Sequence, residues 1–450
     1  MRPIVLTNWM LGGRSGTELY TRDLALGLKR LGWSPSIFSL ETGPLADELR
    51  SAGVPVFTKV DDLPADIAIV HGHHNFMTVM ALLACPAARG LFVCHSSISW
   101  QEEAPAFPRV LRYVGVDELC RERVAADLHL PLDSVRFVGN SVDLSRFAAR
   151  AALPAAPRRA LLFSNYAAEH TFLPVVREAC QREGLELDVI GSGVLQQVSD
   201  PERVLSQYDL VFAKARCAME AVATGCATVL CGVEGVGPMV NLENFDRLRR
   251  DNFGRRCLSL PMTVENLISA MRQYDAMACN QTSRHARTQL DLEGVLHQWC
   301  ALYEELLEMP LPPRTPAEET KAAAIMLGKL ASPLFQTFEL ESVKAHLQNE
   351  VRKLFESQAL LQHGWEQSAA EAVRWVEEAR RLQAKLKSRR SEWKSLQAAW
   401  RLEREQARTS FALTGVLAWL WRHRALRPVA KLLGVRMPRG RAKASDSEKT

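Results

Sequence analysis

The sequence lacks any apolar run that approaches the roughly 18 residues needed to cross a bilayer. It also lacks paired cysteines: its ten cysteines are scattered singly and none lies in a Cys-X-X-Cys motif. A reduced, cytosolic compartment explains such isolated cysteines best. The net charge of +5 is too small to imply a nucleic-acid partner by itself. Residues 1–8 have too short an apolar core for a secretory signal, and we predict that they form a strand.

What is present indicates a globular chain of several domains. Of its 450 residues, 47% are apolar and 24% are charged. Short apolar runs alternate with helical patterns over residues 1–150, and the same pattern restarts after a linker and continues over residues 151–309. Strands that alternate with helices predict a parallel sheet covered on both faces. We therefore predict an α/β fold of two such domains with a cleft between them.

The C-terminal third has a different composition. After the proline-rich segment 310–316, residues 319–410 carry heptads of apolar side chains or alanine from Leu361 to Trp400, which favours a coiled coil. A long helix packed on the body is the alternative. Residues 411–450 combine the apolar run 411–421 with eight Lys or Arg residues and no acid between 422 and 443. This predicts an amphipathic basic tail at an anionic membrane surface, or otherwise a buried helix.

A glycine-rich loop follows the first predicted strand and opens the first helix. It contains Gly12, Gly13 and Gly16, but it matches neither the dinucleotide fingerprint nor the P-loop. Free N–H groups at a helix start favour an anion, and glycine lets a ligand approach the backbone. A plain turn would account for the loop equally well.

Several segments occur in a characteristic order. They are the Gly-Gly loop with the helix end Leu28-Lys29-Arg30-Leu31-Gly32-Trp33, the stretch Val135–Phe147, the strand and turn Leu187–Gly193, and the segment Ala218–Val229, which covers a helix and the start of the next strand. Their order and spacing resemble the family-4-like GT-B glycosyltransferases over about residues 1–305. The resemblance implies the GT-B fold, in which two Rossmann-like parallel-sheet domains face a cleft, here followed by the helical extension. It also implies a nucleoside-diphosphate sugar as substrate and no cofactor.

The resemblance also suggests which residues surround the sugar donor. These residues are Gly12, Gly13, Gly16, Gly191, Gly193, Lys214, Arg216 and Glu220. The resemblance implies that Glu220 accepts hydrogen bonds from the ribose hydroxyls. The chain departs from the family pattern at Phe212, which stands where a first glutamate is usual. An ordinary helix glutamate is the alternative for Glu220.

The usual Arg and Lys are also missing from the segment 164–170. We interpret Lys214 and Arg216 as replacements that neutralise a diphosphate at a helix start, against the alternative of solvated loop charges.

The histidines are considered separately. His71, His73 and His74 suggest a metal, but no acidic or cysteine partner lies at metal spacing, so we predict no metal site. His95 follows another strand, and ligands bind beyond the carboxyl ends of strands in open α/β sheets. The resemblance makes His95 a catalytic candidate with Glu220, bonding the transferred sugar or its phosphate. A loop histidine satisfied within the protein is the alternative.

The sequence therefore favours a hexosyltransferase-like enzyme of polysaccharide biosynthesis. Its acceptor is expected to be a cell-surface glycan or a lipid-linked sugar at the inner face of the membrane. We expect a cytoplasmic, peripheral membrane protein that forms a homo-oligomer through its coiled coil. The alternatives are a catalytically inactive GT-B scaffold in a polysaccharide assembly complex, motivated by the departures above, and a GT-B-like sugar-nucleotide epimerase.

Overall fold

The computed structural model describes residues 2–196, 198–313, 316–361 and 376–392. The chain forms two units, the first ending at Ala323 and the second beginning at Ala324. The strands are β1 Arg2–Thr7, β2 Met10–Leu11, β3 Trp33–Phe38, β4 Glu41–Thr42, β5 Val56–Phe57, β6 Ile69–His73, β7 Arg89–Cys94, β8 Val110–Gly115, β9 Arg136–Phe137, β10 Arg159–Phe163, β11 Glu186–Ile190, β12 Leu210–Ala213, β13 Ala227–Gly232 and β14 Gly235–Met239. The helices are α1 Gly16–Arg30, α2 Pro44–Ser51, α3 Asn75–Ala84, α4 Glu118–Leu128, α5 Leu173–Arg182, α6 Ala215–Thr224, α7 Phe245–Arg250, α8 Val264–Met271, α9 Ala276–Gln289, α10 Leu292–Glu308 and α11 Pro316–Leu361.

The first sheet has seven strands in the order β5-β3-β1-β6-β7-β8-β9, and all its pairs are parallel. Its central strands have almost no polar alternation, as the run Ile4-Val5-Leu6 with no exposed surface shows. Such continuous apolar strands are expected where helices cover both faces of a parallel sheet. The predicted parallel architecture of this half is confirmed.

The second sheet has the order β11-β10-β12-β13-β14. Its first four strands are parallel, as predicted, but β14 runs antiparallel at the edge. The glycines of residues 232–237 are as typical of a turn as of a strand, so the sequence pattern does not indicate β14. Gly235 has φ 147° and lets the chain reverse directly after β13, and a side chain at Gly237 would collide with the carbonyl oxygen of Cys257. The same glycines that indicate a turn therefore also permit a strand.

The last helix of this α/β body returns to the first sheet. Leu296 of α10 packs so closely on Gly27 of α1 that no Cβ would fit at that glycine. The chain thus passes between the two sheets twice, once after β9 and once before α10. The two passages are hydrogen-bonded to one another, because Val142 donates to the carbonyl of Leu290 (2.7 Å) and accepts from the N–H of Leu292 (3.1 Å).

The second unit is helical where the structure describes it, in the remainder of α11 and over residues 376–392. This confirms the predicted helical extension. Most of the heptad stretch and the whole basic tail 411–450 lie outside the described residues, so the coiled coil and the membrane-binding tail stay predictions. Among the described helices, none is both long and apolar enough to span a membrane.

Candidate functional site

A cleft of about 500 Å³ lies between the two sheets. It opens at the carboxyl ends of the parallel strands, where ligands bind in open α/β folds. From the first half it is lined by the start of α1 and by the loop that follows β7. From the second half it is lined by the end of β10 and the three residues after it, by the start of α6 and by Asn252, Gly254 and Arg255.

The cleft brings together four of the nine predicted site residues. These are Gly16, His95, Lys214 and Arg216. The others are not among the described residues that line it, and they are Gly12, Gly13, Gly191, Gly193 and Glu220. Four of these five, namely Gly13, Gly191, Gly193 and Glu220, have structural roles that the geometry makes clear.

The glycine loop before α1 binds a carboxylate of the chain itself. The backbone N–H groups of Gly13 and Ser15 each donate to the side chain of Glu18 at 2.7 Å. Ser15 and Glu18 form the capping box of α1, and Glu18 is only 2% exposed. The two N–H groups that the sequence suggested for a ligand anion are therefore already paired.

Gly191 and Gly193 shape the loop at residues 164–167. An added Cβ would lie 2.0 Å from the carbonyl oxygen of Ser164 at Gly191, and 2.2 Å from that of Ala167 at Gly193. Only glycine allows this approach of two backbones. The neighbouring residues 164–166 line the cleft, so these glycines act on the site through the position of that loop.

Arg216 links the two halves of the site. Its guanidinium donates to Asp23 of α1 at 2.5 Å and to Glu220, one turn further along α6, at 2.7 Å. Burial opposes the positive charge, but the carboxylates of Asp23 and Glu220 outweigh this effect and raise the pKa of Arg216. Burial raises the pKa of Glu220, and Arg216 offsets part of that rise. A phosphate at Arg216 would compete with both carboxylates.

The remaining cations of the cleft differ in their pairing. Lys214 forms an ion pair with Glu234 at 2.6 Å and lies 5.1 Å from the ring centre of Tyr166. Arg255 is exposed in the cleft, and its side chain makes no ion pair or hydrogen bond with any residue that the structure describes. Sequence reasoning missed Arg255, although the pair Arg255-Arg256 after a glycine was a visible signal.

The backbone around these cations is strained. Ala215, Asn252 and Phe253 have φ values of 50°, 55° and 49°, which are uncommon for residues other than glycine. The strained segments are joined, because the N–H of Ala215 donates to the carbonyl oxygen of Phe253 at 2.8 Å. Strain of this kind persists where the surrounding structure enforces it, and it concentrates at ligand sites.

Histidines fill the interior behind the cleft. His71 bonds the hydroxyl of Tyr303 through Nδ1 (2.7 Å) and His73 through Nε2 (2.9 Å), and His73 in turn contacts Thr21 at 3.2 Å. Burial lowers the pKa of His71 and His73 well below the usual value, and the charge of neighbouring imidazoles adds to this fall, His95 at His71 and chiefly His71 at His73. These imidazoles are neutral hydrogen-bonding groups. Within the described ranges no three potential ligands are grouped to hold a metal ion.

His95 lies at the edge of this interior and lines the cleft. Burial lowers its pKa to about 3, so its ring is neutral at physiological pH. Its backbone N–H donates to Glu102 at 2.7 Å, and burial raises the pKa of this carboxyl to about 7. The Nε2 atom of His95 is enclosed and has no hydrogen-bond partner among the described residues. It can therefore serve a bound molecule without first breaking a bond within the protein.

Two Rossmann-like domains that face a cleft at the ends of their strands define the GT-B fold, and the predicted fold is confirmed. The chain matches a solved glycosyltransferase from Rickettsia africae with TM-score 0.53 and 14% identity, over 69% of this chain and 100% of that one. It also matches Anabaena HepE, solved in complex with UDP, with TM-score 0.53 and 12% identity, over 68% of this chain and 100% of that one. HepE with UDP-glucose gives TM-score 0.52 at 12% identity and the same coverage. No protein-family model and no curated protein matches the sequence.

Proposed function

We propose that this chain is a glycosyltransferase that takes its sugar from a nucleoside-diphosphate sugar. The observation that carries the proposal is an unpaired Arg255 beside the strained start of α6, in a cleft whose volume suits a small ligand. The structures of HepE with UDP and with UDP-glucose support a nucleotide-sugar donor for this fold.

The cleft is suited to stabilise a departing diphosphate. As the sugar leaves, negative charge grows on the phosphates, and fixed cations and helix N–H groups stabilise it most effectively. Arg255 offers its guanidinium freely, whereas Lys214 would have to share its ammonium with Glu234. In this proposal, His95 bonds the sugar as a neutral group. Glu220 gives one carboxylate oxygen to Arg216, and it reaches the ribose, as the resemblance implies, only once this buried side chain is uncovered, because it does not line the cleft.

The test compares two adjacent arginines. Arg255→Ala removes the unpaired cation, while Arg256→Ala removes a neighbour that already pairs with Glu122 at 2.6 Å and does not line the cleft. Charge-assisted hydrogen bonds contribute about 1.5–3 kcal/mol, so Arg255→Ala should weaken UDP, GDP or ADP binding about tenfold or more. Arg256→Ala should leave it unchanged.

Titration calorimetry measures both constants. Equal affinities in Arg255→Ala and wild type would remove Arg255 from the site. Absence of binding to all three nucleotides would contradict the proposed function itself. The double variant Lys214→Ala/Arg216→Ala tests in the same way whether these two cations bind the diphosphate. If they do, it should also lower the nucleotide affinity.

A catalytically inactive GT-B scaffold is the second candidate. Two of the cleft cations, Lys214 and Arg216, are already paired with carboxylates of the protein, and the buried Phe212 stands where a first glutamate was expected. Release of free sugar from a panel of sugar nucleotides separates the candidates. Slow hydrolysis of one donor supports the transferase, and nucleotide binding without any hydrolysis supports the scaffold.

The acceptor is proposed to be a cell-surface glycan or a lipid-linked sugar at the inner face of the membrane. The basic composition of residues 422–443, next to an apolar run, supports this part of the proposal. Flotation with anionic vesicles tests it. Full-length protein should float at low salt, and a chain without residues 411–450 should not. Full-length protein that stays in the soluble fraction would contradict membrane binding.

A homo-oligomer is proposed through the helical extension. Leu340, Leu347 and Val351 are exposed on α11, and their spacings of seven and four residues place them in one heptad seam. Light scattering after gel filtration should give a mass that is a multiple of 50.3 kDa. Leu347→Glu should lower this mass to that of one chain, and an unchanged mass would contradict pairing through α11.

A further inference from the structure

Large apolar side chains are exposed at the edge of the first sheet that borders the cleft. They follow the carboxyl ends of β1, β3 and β7, and because these strands are parallel members of one sheet, the three loops lie at the same edge. Grouped apolar side chains on a surface mark an interaction site, whereas scattered ones are ordinary. We call this group the tryptophan surface; its members are Trp9, Met10, Leu40, Ile98 and Trp100, which are 36–68% exposed.

The two tryptophans are held in place in the free protein. Their ring centres lie 5.8 Å apart, and both contact the buried ring of Phe76 at 5.3 and 5.9 Å. The side-chain amide of Asn75 donates to the carbonyl of Trp100 at 3.1 Å. The N–H of Trp9 donates to Nδ1 of His74 at 3.0 Å. A ligand that binds these rings therefore has little side-chain entropy to remove, which favours binding.

The tryptophan surface continues into the cleft. Ile98 is its most exposed member and also lines the cleft, together with the serines on either side of it. The guanidinium of Arg123 fixes this loop by donating to the carbonyls of Ser96 at 2.8 Å and Ser99 at 2.7 Å. A molecule whose polar end lies in the cleft can thus extend over Ile98 to the tryptophans without leaving the protein surface.

Charge and polarity restrict what this surface can bind. The segments that carry it, residues 8–10, 39–42 and 96–103, contain three glutamates and no Lys or Arg. An anionic bilayer attracts basic residues, so these loops are not suited to it. The hydroxyl groups of a glycan would find no hydrogen bonds at the side chains of Leu40 and Ile98. A protein partner on Ile98 would cover the rim of the cleft. An uncharged hydrocarbon chain meets none of these objections.

We propose that the tryptophan surface binds an uncharged hydrocarbon chain carried by the acceptor, whose polar end lies in the cleft. This inference rests on the proposed function, and it selects a lipid-linked acceptor over a free glycan. Each methylene that is fully removed from water strengthens binding about fourfold. The surface is open on one side and covers only part of the chain, so about twofold per methylene is expected.

A series of alkyl glucosides measures the contribution of the chain. Glucose and its butyl, hexyl and octyl glucosides are titrated into the full-length protein below their micelle concentrations, and ligand-observed NMR gives the affinities. The affinity of wild type should rise about fourfold from butyl to hexyl and again from hexyl to octyl, because each step adds two methylenes.

Two substitutions of exposed apolar side chains form a matched pair. Ile98 is 68% exposed and lines the cleft, whereas Met277 on α9 is 74% exposed and does not line it. Ile98→Ser should lower the affinity for octyl glucoside about fourfold or more and leave that for UDP unchanged. Met277→Ser should leave both unchanged. Both variants should melt at the wild-type temperature, since neither side chain is buried.

An affinity that does not rise with chain length in wild type would overturn the inference, as would equal affinities for octyl glucoside in wild type and Ile98→Ser. Two other results would also overturn it. Loss of binding to neutral phosphatidylcholine vesicles alone in Ile98→Ser would assign the surface to a bilayer, and a smaller mass in light scattering would assign it to a second copy of the chain. Failure of wild type to bind UDP, GDP or ADP would refute the proposed function instead, because the alkyl series is measured without nucleotide.

Discussion

Acid should destabilise this protein unusually steeply because four neutral histidines lie in or beside its core. Burial lowers the pKa of His71, His73, His74 and His95, to about 4 for His74 and about 3 for His95. Unfolding restores a pKa of about 6.5 to each. The unfolded chain therefore binds more protons below pH 6.5. Stability that is complete above this pH is lost as the pH falls towards the folded values.

The size of the loss can be worked out at pH 5.5. Each histidine is then about ten-elevenths protonated in the unfolded chain. This protonation lowers the unfolding free energy by about 1.4 kcal/mol per site and by about 6 kcal/mol for the four. Glu102 acts in the opposite direction, because its pKa is raised to about 7 and its stabilising protonation is lost as the pH rises. Protonation of Glu102 adds about 2 kcal/mol to the unfolding free energy at pH 5.5. The unfolding free energy should therefore fall by a net of about 4 kcal/mol between pH 8 and 5.5.

Urea unfolding at the two pH values measures this loss. His74→Asn isolates one site: asparagine tolerates the φ of 61° found there and keeps an acceptor near Nδ1, which receives the N–H of Trp9. The variant should lose about 1.4 kcal/mol less than wild type. His170→Gln, a replacement of an exposed side chain, is the control and should behave as wild type. Losses in wild type and His74→Asn that agree within about 0.3 kcal/mol would refute the reasoning.

Two further predictions concern packing. Glu319→Ala leaves the fully buried Arg109 without the carboxylate that it bonds at 2.7 Å and should cost about 3–5 kcal/mol of unfolding free energy. Glu169→Ala, which removes one partner of an exposed surface ion pair, should cost far less. Urea unfolding checks both, and equal losses would contradict the role of burial. Gly193→Ala forces a methyl group against the carbonyl of Ala167, so it should cost about 1–3 kcal/mol of unfolding free energy and weaken UDP binding. Gly294→Ala is the control, because a Cβ there meets open space, and it should cost no unfolding free energy. Nucleotide affinity that survives in Gly193→Ala would show that the loop at residues 164–167 does not contribute to the site.

The architecture could be predicted from the sequence because its signals are local. Apolar runs such as Ile4–Leu6 and Leu210–Ala213 coincide with strands β1 and β12, and the helix predicted after the glycine-rich loop is α1. The antiparallel edge strand β14 was missed because its glycines indicate a turn as strongly as a strand. The return of α10 to the first sheet depends on contacts between residues far apart in the sequence, such as Gly27 and Leu296. No local pattern reports such contacts.

The site was predicted only in part for a similar reason. His95, Lys214 and Arg216 follow strand ends, and this position alone brings them to the cleft. Whether a cation is free to bind depends on its partners, and Asp23, which pairs with Arg216, lies 193 residues earlier in the chain. Tyr20 and Trp299 resemble ordinary core positions of amphipathic helices. Only the folded structure shows that both residues line the cleft.

The paired crossings at Val142 and Leu290–Leu292 have a mechanical consequence. Two covalent connections that are hydrogen-bonded to each other act as one narrow hinge, so the domains can rotate about this line but cannot slide apart freely. Three ion pairs of the described residues bridge the domains and must break on opening: Arg216–Asp23, Arg250–Glu118 and Arg256–Glu122. Domain opening should therefore be a single rotation that separates these ion pairs, and its rate should rise when one of their charges is removed.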